Sequence, residues 1–122
     1  MADAKTLAGL KVLVVEDEML VSMLVEDMLS GLGCEVVGPA AELDEAMSLA
    51  RSADIDLAVL DVNLGGKSIF PVADALKARG VPFAFASGYG EAGLSESHKT
   101  AAVIQKPFRE GDLAQALRGL VS

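Results

Sequence analysis

Cysteine, tryptophan and basic charge are the scarce ingredients of this sequence. One cysteine in 122 residues, Cys34, excludes an internal disulfide and a structural zinc site. It reads as a small buried hydrophobe near the start of a strand. Ten Lys and Arg stand against 18 Asp and Glu, a formal charge of -8, which opposes nonspecific binding to nucleic acid or to anionic lipid headgroups. Protein partners are expected instead, with no nucleic acid and no membrane. No apolar run approaches the roughly 20 residues of a membrane helix, and the opening MADAKTLAGLK lacks the apolar segment of a secretory signal. A cytoplasmic protein is therefore expected. What is abundant is apolar material, 52% of residues, enough for one core in one domain of about 100 to 150 residues. The expectation is a single domain over 1–122, with 1–9 a loose N-terminal extension.

Short β-rich runs alternate with segments whose apolar residues recur at helical spacing, the pattern of βα units building a parallel sheet. Residues 12–15 predict a buried strand. Leu20, Leu24, Val25, Met28 and Leu32 then predict one stripe of a helix ending near Gly31 or Gly33. Val36 and Val37 predict a second, shorter strand, and Leu43, Ala46, Met47 and Ala50 a second helix. A third strand covers 57–60 and is followed by a loop holding Gly65 and Gly66. Ile69, Val72, Ala73 and Leu76 predict a third helix up to Gly80, residues 82–86 a fourth strand, and Val103 and Ile104 the centre of a fifth. Leu113, Leu117, Leu120 and Val121 stripe the last helix. Between 91 and 100 the glycine, serine and threonine content lowers helix propensity, so a short or mobile helix is expected there. The fold class is α/β: a five-stranded parallel sheet with helices on both faces, doubly wound in the flavodoxin-like manner.

In such a sheet the functional crevice lies beyond the carboxyl ends of the strands. That rule gathers Glu16 and Asp17 after the first strand, Asp61 at the end of the third, Ser87 after the fourth and Lys106 at the end of the fifth. Hard carboxylate oxygens are what Mg²⁺ prefers. Two like charges about 4 Å apart repel by roughly 4 kcal/mol at an effective dielectric near 20, so a cation must offset the crowding or a proton is taken up. A carboxylate also serves as a nucleophile toward phosphorus while metal and lysine neutralise the transferring group. Asp61 is the candidate for that role, with the Ser87 hydroxyl and the Gly88 N–H as donors to phosphoryl oxygens. Each residue alone has a plainer explanation. Asp17 has the look of a helix cap, Asp61 and Ser87 suit turns, and Lys106 suits a solvated strand end. His98, the one histidine, lies in a polar stretch, and the chain is not read as a phosphodonor.

The acid pair, the strand-end Asp, the Ser and the Lys-Pro, in this order over nearly the whole chain, resemble the receiver domain of two-component response regulators. The resemblance implies a receiver fold, Mg²⁺ held by Glu16, Asp17, Asp61 and the Asn63 carbonyl, and phosphoryl transfer to Asp61 from a histidine kinase or phosphotransfer protein. It also implies phosphoryl binding by Ser87 and Lys106, and a cis peptide between Lys106 and Pro107 that helps aim the lysine. The segment PFAFASGY is similar to a receiver subgroup with a PFxFAT-G-Y type motif, Ser87 standing in the Thr place. Single-domain members of that subgroup are often paired with kinases of an atypical class. Two departures carry consequences. Val103 stands where most receivers have a switch aromatic, and Tyr89 is the candidate substitute. Gly65 and Gly66 are expected to loosen the loop after Asp61. Output is expected to pass to a downstream protein target, or the domain serves as a phosphate shuttle or sink, rather than as a turnover enzyme. The competing classes are a phosphorylation-independent binding module on the same fold and, ranked last, a Mg²⁺-dependent phosphatase.

Overall fold

Continuous apolar runs of four or five residues favour strands buried on both faces, and the computed structural model, which describes residues 7–64, 66–87 and 102–121, places them so. In chain order the elements are β1 (Lys11–Val15), α1 (Met19–Gly31), β2 (Glu35–Ala40), α2 (Leu43–Ser52) and β3 (Leu57–Asp61). After them come β4 (Asn63–Leu64), β5 (Lys67–Ser68), α3 (Phe70–Ala78), β6 (Phe83–Ser87), β7 (Ala102–Gln105) and α4 (Glu110–Val121). Five strands form one parallel sheet in the order β2-β1-β3-β6-β7. From β1 the chain steps outward to β2, then returns past β1 to β3. That reversal creates the crevice at the carboxyl ends of β1 and β3.

Alternate residues of each strand point to opposite faces, and the core splits accordingly. Val12 and Val14 of β1 pack with Val25 and Leu29 of α1 and Leu113 and Leu117 of α4. Leu13 and Val15 pack with Ala46 and Ala50 of α2, Val72 and Leu76 of α3, and Phe85 of β6. The segment 91–100, and with it His98, lies outside the described residues, as do Tyr89 and Gly65.

Four expectations need correction. In α1 the buried residues are Ser22, Val25 and Leu29, whereas Leu20 and Leu24 are 77% and 57% exposed. The helix is apolar nearly all round in its first half, so periodicity alone does not select a face. The second strand is six residues rather than two. Gly38 and Pro39, which look like a strand end, instead lie within it at a register shift against β1. Gly38 has φ +93°, and a Cβ there would sit 2.9 Å from the Ala40 nitrogen, so only glycine suits the position. The loop after Asp61 carries a small antiparallel ribbon, Asn63 opposite Ser68 and Leu64 opposite Lys67. Finally, residues 7–9 are tied to the body. Leu7 is buried, its carbonyl accepts from Cys34 Sγ at 3.4 Å, and the Gly9 N–H donates to the Gly33 carbonyl at 2.8 Å.

Candidate functional site

Each strand delivers its polar residue one step beyond an apolar run, and the sheet's hydrogen bonding continues just far enough to hold it. The Glu16 N–H donates to the Ala40 carbonyl at 3.0 Å, Val62 N–H to Ala86 at 3.1 Å and Lys106 N–H to Ser87 at 2.9 Å. Asp61 lies opposite Ala86 and Ser87 opposite Gln105. The backbone thus fixes the heights of Glu16, Asp61, Ser87 and Lys106 before any side chain interacts.

Three of those side chains, Glu16, Asp61 and Ser87, are buried, and with Ser22 they make up the buried polar residues of the described part. Lys106 Nζ donates to Glu16 Oε1 at 3.0 Å and stands 3.3 Å from Asp61 Oδ1. One ammonium therefore spans two carboxylates from different strands. The Glu18 N–H donates to Glu16 Oε2 at 3.2 Å, so both oxygens of Glu16 are engaged. The peptide bond from Lys106 to Pro107 is cis.

The electrostatics follow from this crowding. Burial, and then the hydrogen-bonded Asp61 carboxyl, push Glu16 up to about 7, while Lys106 and the Glu18 N–H pull the other way. Burial opposes the charge on Lys106, yet its hydrogen bond to Glu16 and the charges of Asp61 and Glu16 hold it above the ordinary lysine value. Among the described residues Lys106 is the cation paired with these acids, one ammonium for two carboxyls.

On the outer side, carboxylate oxygens of Glu16, Asp17 and Glu18 all lie within 4.8 Å of one another. Asp17 and Glu18 are exposed, and the residue at the α1 N-cap is Glu18, so Asp17 does not occupy the cap position. Glu18 is the acid that the sequence reasoning missed. The unbroken run Glu16, Asp17, Glu18 was the available signal, since three acids ahead of a helix crowd its N-terminus whichever way they turn. A hard divalent cation fits this donor set, because carboxylate oxygens are its preferred ligands and its charge would offset the burial and the neighbouring Asp61 carboxyl that raise Glu16. The structure thus brings Glu16, Asp61 and Lys106 into direct contact and Asp17 into the acid cluster. Ser87 ends the strand beside them, and Tyr89 lies outside the described residues.

A sequence profile described as "Response regulator receiver domain" matches residues 12–118. The chain is 31% identical over 124 residues to the transcriptional regulatory protein PdtaR of Mycobacterium tuberculosis, spanning 98% of this chain and 60% of that protein. It is 33% identical over 111 residues to the phyllosphere-induced regulator PhyR of Methylorubrum extorquens, spanning 88% of this chain and 42% of that protein. The chain therefore spans little more than half, or less, of the curated relatives it matches. Among solved structures, SdrG from Sphingomonas melonis Fr1 superposes with a TM-score of 0.83 at 39% identity over 93% of this chain and 98% of that one. A BeF3-activated conformation of SdrG superposes with 0.79 at 37% identity, over 94% of this chain and 98% of that one.

Proposed function

The chain belongs to the response regulator receiver domain family, and from that membership we propose that Asp61 accepts a phosphoryl group from a phosphohistidine of a histidine kinase or phosphotransfer protein, in a Mg²⁺-dependent relay that switches protein–protein contacts. The observation that carries the reading is the Lys106 ammonium held between Glu16 and Asp61 at 3.0 and 3.3 Å. A buried acid next to a movable cation and an open acid cluster is what a transient phosphoryl group requires.

In the transfer, a carboxylate oxygen of Asp61 forms a bond to phosphorus as the bond from phosphorus to the donor's imidazole nitrogen breaks, and the imidazole leaves with its electron pair. Glu16, Asp17, Asp61 and the Asn63 carbonyl would hold Mg²⁺, which would supply positive charge to the phosphoryl oxygens. Lys106 turns from Glu16 toward the new negative group, and the Ser87 hydroxyl donates to one of its oxygens. The acyl phosphate adds about -1.5 to -2 charge and three acceptor oxygens, which draw in the Ser87 hydroxyl and the Lys106 ammonium. The BeF3-activated conformation of SdrG supports the reading by similarity, since beryllium fluoride is a tetrahedral stand-in for a carboxylate-bound phosphoryl group.

The partners on this reading are a phosphodonor kinase, of the atypical class that the PFxFAT-G-Y resemblance implies, and a downstream protein. A cytoplasmic location goes with them. Among the described residues no helix is long and apolar enough to cross a membrane.

Incubation with acetyl phosphate and Mg²⁺, followed by intact mass, tests the proposal. A labile adduct on the unaltered chain that is absent from Asp61→Asn is expected. Steady release of phosphate from a free ester would select a phosphatase instead, and an inert chain would select a phosphorylation-independent module.

A further inference from the structure

The face of the sheet opposite α1 and α4 carries α2 and α3 side by side, and a hollow of about 500 Å³ runs along their outer surface. From α2 it is lined by Met47 and Arg51, and from α3 by Pro71, Asp74, Ala75, Ala78 and Arg79. Helical spacing sets Asp44 on the same stripe as Met47 and Arg51, at i, i+3 and i+7. That stripe reads acid, apolar, base. The order recurs on α3, where Asp74 precedes Ala75 and Ala78 and Arg79 follows them. Asp44, Arg51, Asp74 and Arg79 are all exposed. The helix dipole accounts for an acid in the first turn of α2 and a base in its last. It does not account for Asp74, which lies in the middle of a helix whose first turn holds no acid. The two basic ends are level with each other. The Arg79 guanidinium donates to the Ala50 and Ala53 carbonyls at 2.7 and 2.8 Å, at the end of α2 where Arg51 stands, and its fork keeps further N–H donors for another partner.

We propose that this face pairs with the same face of a second copy of the chain, α2 against α2 and α3 against α3, each antiparallel about a twofold axis that crosses the helices. In such an interface residue i of one copy meets j of the other while j meets i. Asp44 of each copy then faces the partner's Arg51, Met47 packs beside the axis, and the alanines of α3 allow close approach. Charge favours a copy over any other occupant. The chain carries -8 overall, which opposes self-association, but on this face two acids balance two bases, so copies meet here without that repulsion. An acidic partner would be repelled by Asp44 and Asp74 and a basic one by Arg51 and Arg79, whereas an inverted copy satisfies both signs. The inversion also points the two strand-end crevices in opposite directions, so the inference stands apart from the phosphoacceptor reading. Helices of ten and nine residues are only about 15 Å long, and the patch they offer falls short of the about 800 Å² per partner of a standard interface. The dimer is accordingly a weak one, with a Kd in the micromolar to millimolar range.

Sedimentation velocity of the full chain from about 10 μM to about 1 mM tests the proposal. The unaltered chain is expected to move from monomer toward dimer across that range, and to do so less at high salt, which screens the charge pairs. Arg51→Glu alone and Asp44→Arg alone each set like charges opposite one another, and each should weaken association by about ten-fold or more. Mixed in equal amounts, the two variants are complementary at both positions, and the mixture should recover dimer that neither forms by itself. A local effect of either substitution on its own helix would not produce that recovery. A chain that stays monomeric at the highest concentration overturns the proposal, as does association indifferent to both substitutions. So do an absence of recovery on mixing and a loss with Arg118→Glu, on the exposed surface of α4, as large as that with Arg51→Glu.

Discussion

Glu16 concentrates the conflict in this site, because its carboxyl must be buried for the pocket to be dry and ionised for it to hold a cation. Without metal the folded protein holds its proton up to about pH 7, against an ordinary value of 4.5. The folded state therefore binds more protons than the unfolded chain between those values, and its stability falls as pH rises through that window. The contribution is fully present below 4.5 and gone above about 7. Melting temperature in EDTA should accordingly drop from pH 5 to pH 7.5, and Glu16→Gln should flatten that part of the slope. Lys106 adds no slope in this range, since its raised value lies above the lysine norm of 10.5. Its removal acts differently. Lys106→Met leaves Glu16 and Asp61 facing each other without their shared cation, which is costly for buried acids. At pH 8, above the value of about 7 to which Glu16 is raised, urea unfolding should show a loss of about 2–4 kcal/mol, and clearly less at pH 5, where the proton on Glu16 takes the lysine's place. Equal losses at the two pH values would mean that the ammonium is not what holds the acids together.

At the level of elements, α1 separates what the sequence discloses from what it withholds. The helix itself was legible from its apolar density and the glycines after it, but the buried face was not. Leu20 and Leu24 have the spacing of a core stripe and are exposed, while Ser22 faces inward with its hydroxyl donating to Glu26 Oε2 at 3.4 Å. A helix apolar on several faces offers periodicity no contrast. The contrast came instead from α2, where Ala46 and Ala50 stand out against Asp44 and Glu45, and there the expected face was the buried one. Strand ends were legible wherever an acid or lysine interrupted a run, which is why Glu16, Asp61 and Lys106 were identifiable. The second strand runs past Val36 and Val37 because Gly38 and Pro39, residue types that ordinarily end a strand, here sit inside one. Glu18 went unnoticed because a third consecutive acid looks like a solvated helix start. The exposed face makes a direct prediction. Leu20→Ala should change stability by no more than about 0.5 kcal/mol, whereas Leu29→Ala, at a fully buried position, should cost about 2–5 kcal/mol. Thermal or urea melts of the two single variants decide it, and similar losses would restore the stripe that periodicity suggested.

The whole molecule is a scaffold that sets five strand ends side by side. Parallel order β2-β1-β3-β6-β7 puts the acids of β1 and β3 at the centre and the lysine of β7 at the edge, so one cation crosses from the rim to the middle. A chain of net charge -8 also gains from any cation through general screening, and the proposed metal site must be separated from that background. A ligand that binds only the folded state stabilises it by RT ln(1 + [L]/Kd), about 2.7 kcal/mol at a hundred times Kd. Mg²⁺ should therefore raise the melting temperature at pH 7.5 by several degrees, well beyond NaCl at matched ionic strength. The gain should shrink as pH falls through about 7, because the proton on Glu16 competes with the metal. Asp17→Asn and Asp61→Asn should each remove most of it, whereas Asp54→Asn, at an exposed acid paired with Lys11 at 2.7 Å on the far end of the sheet, should leave it intact. If Mg²⁺ and NaCl at equal ionic strength gave the same shift, or if Asp54→Asn removed as much of it as Asp61→Asn, the acids at the strand ends would be a charged rim and not a metal centre.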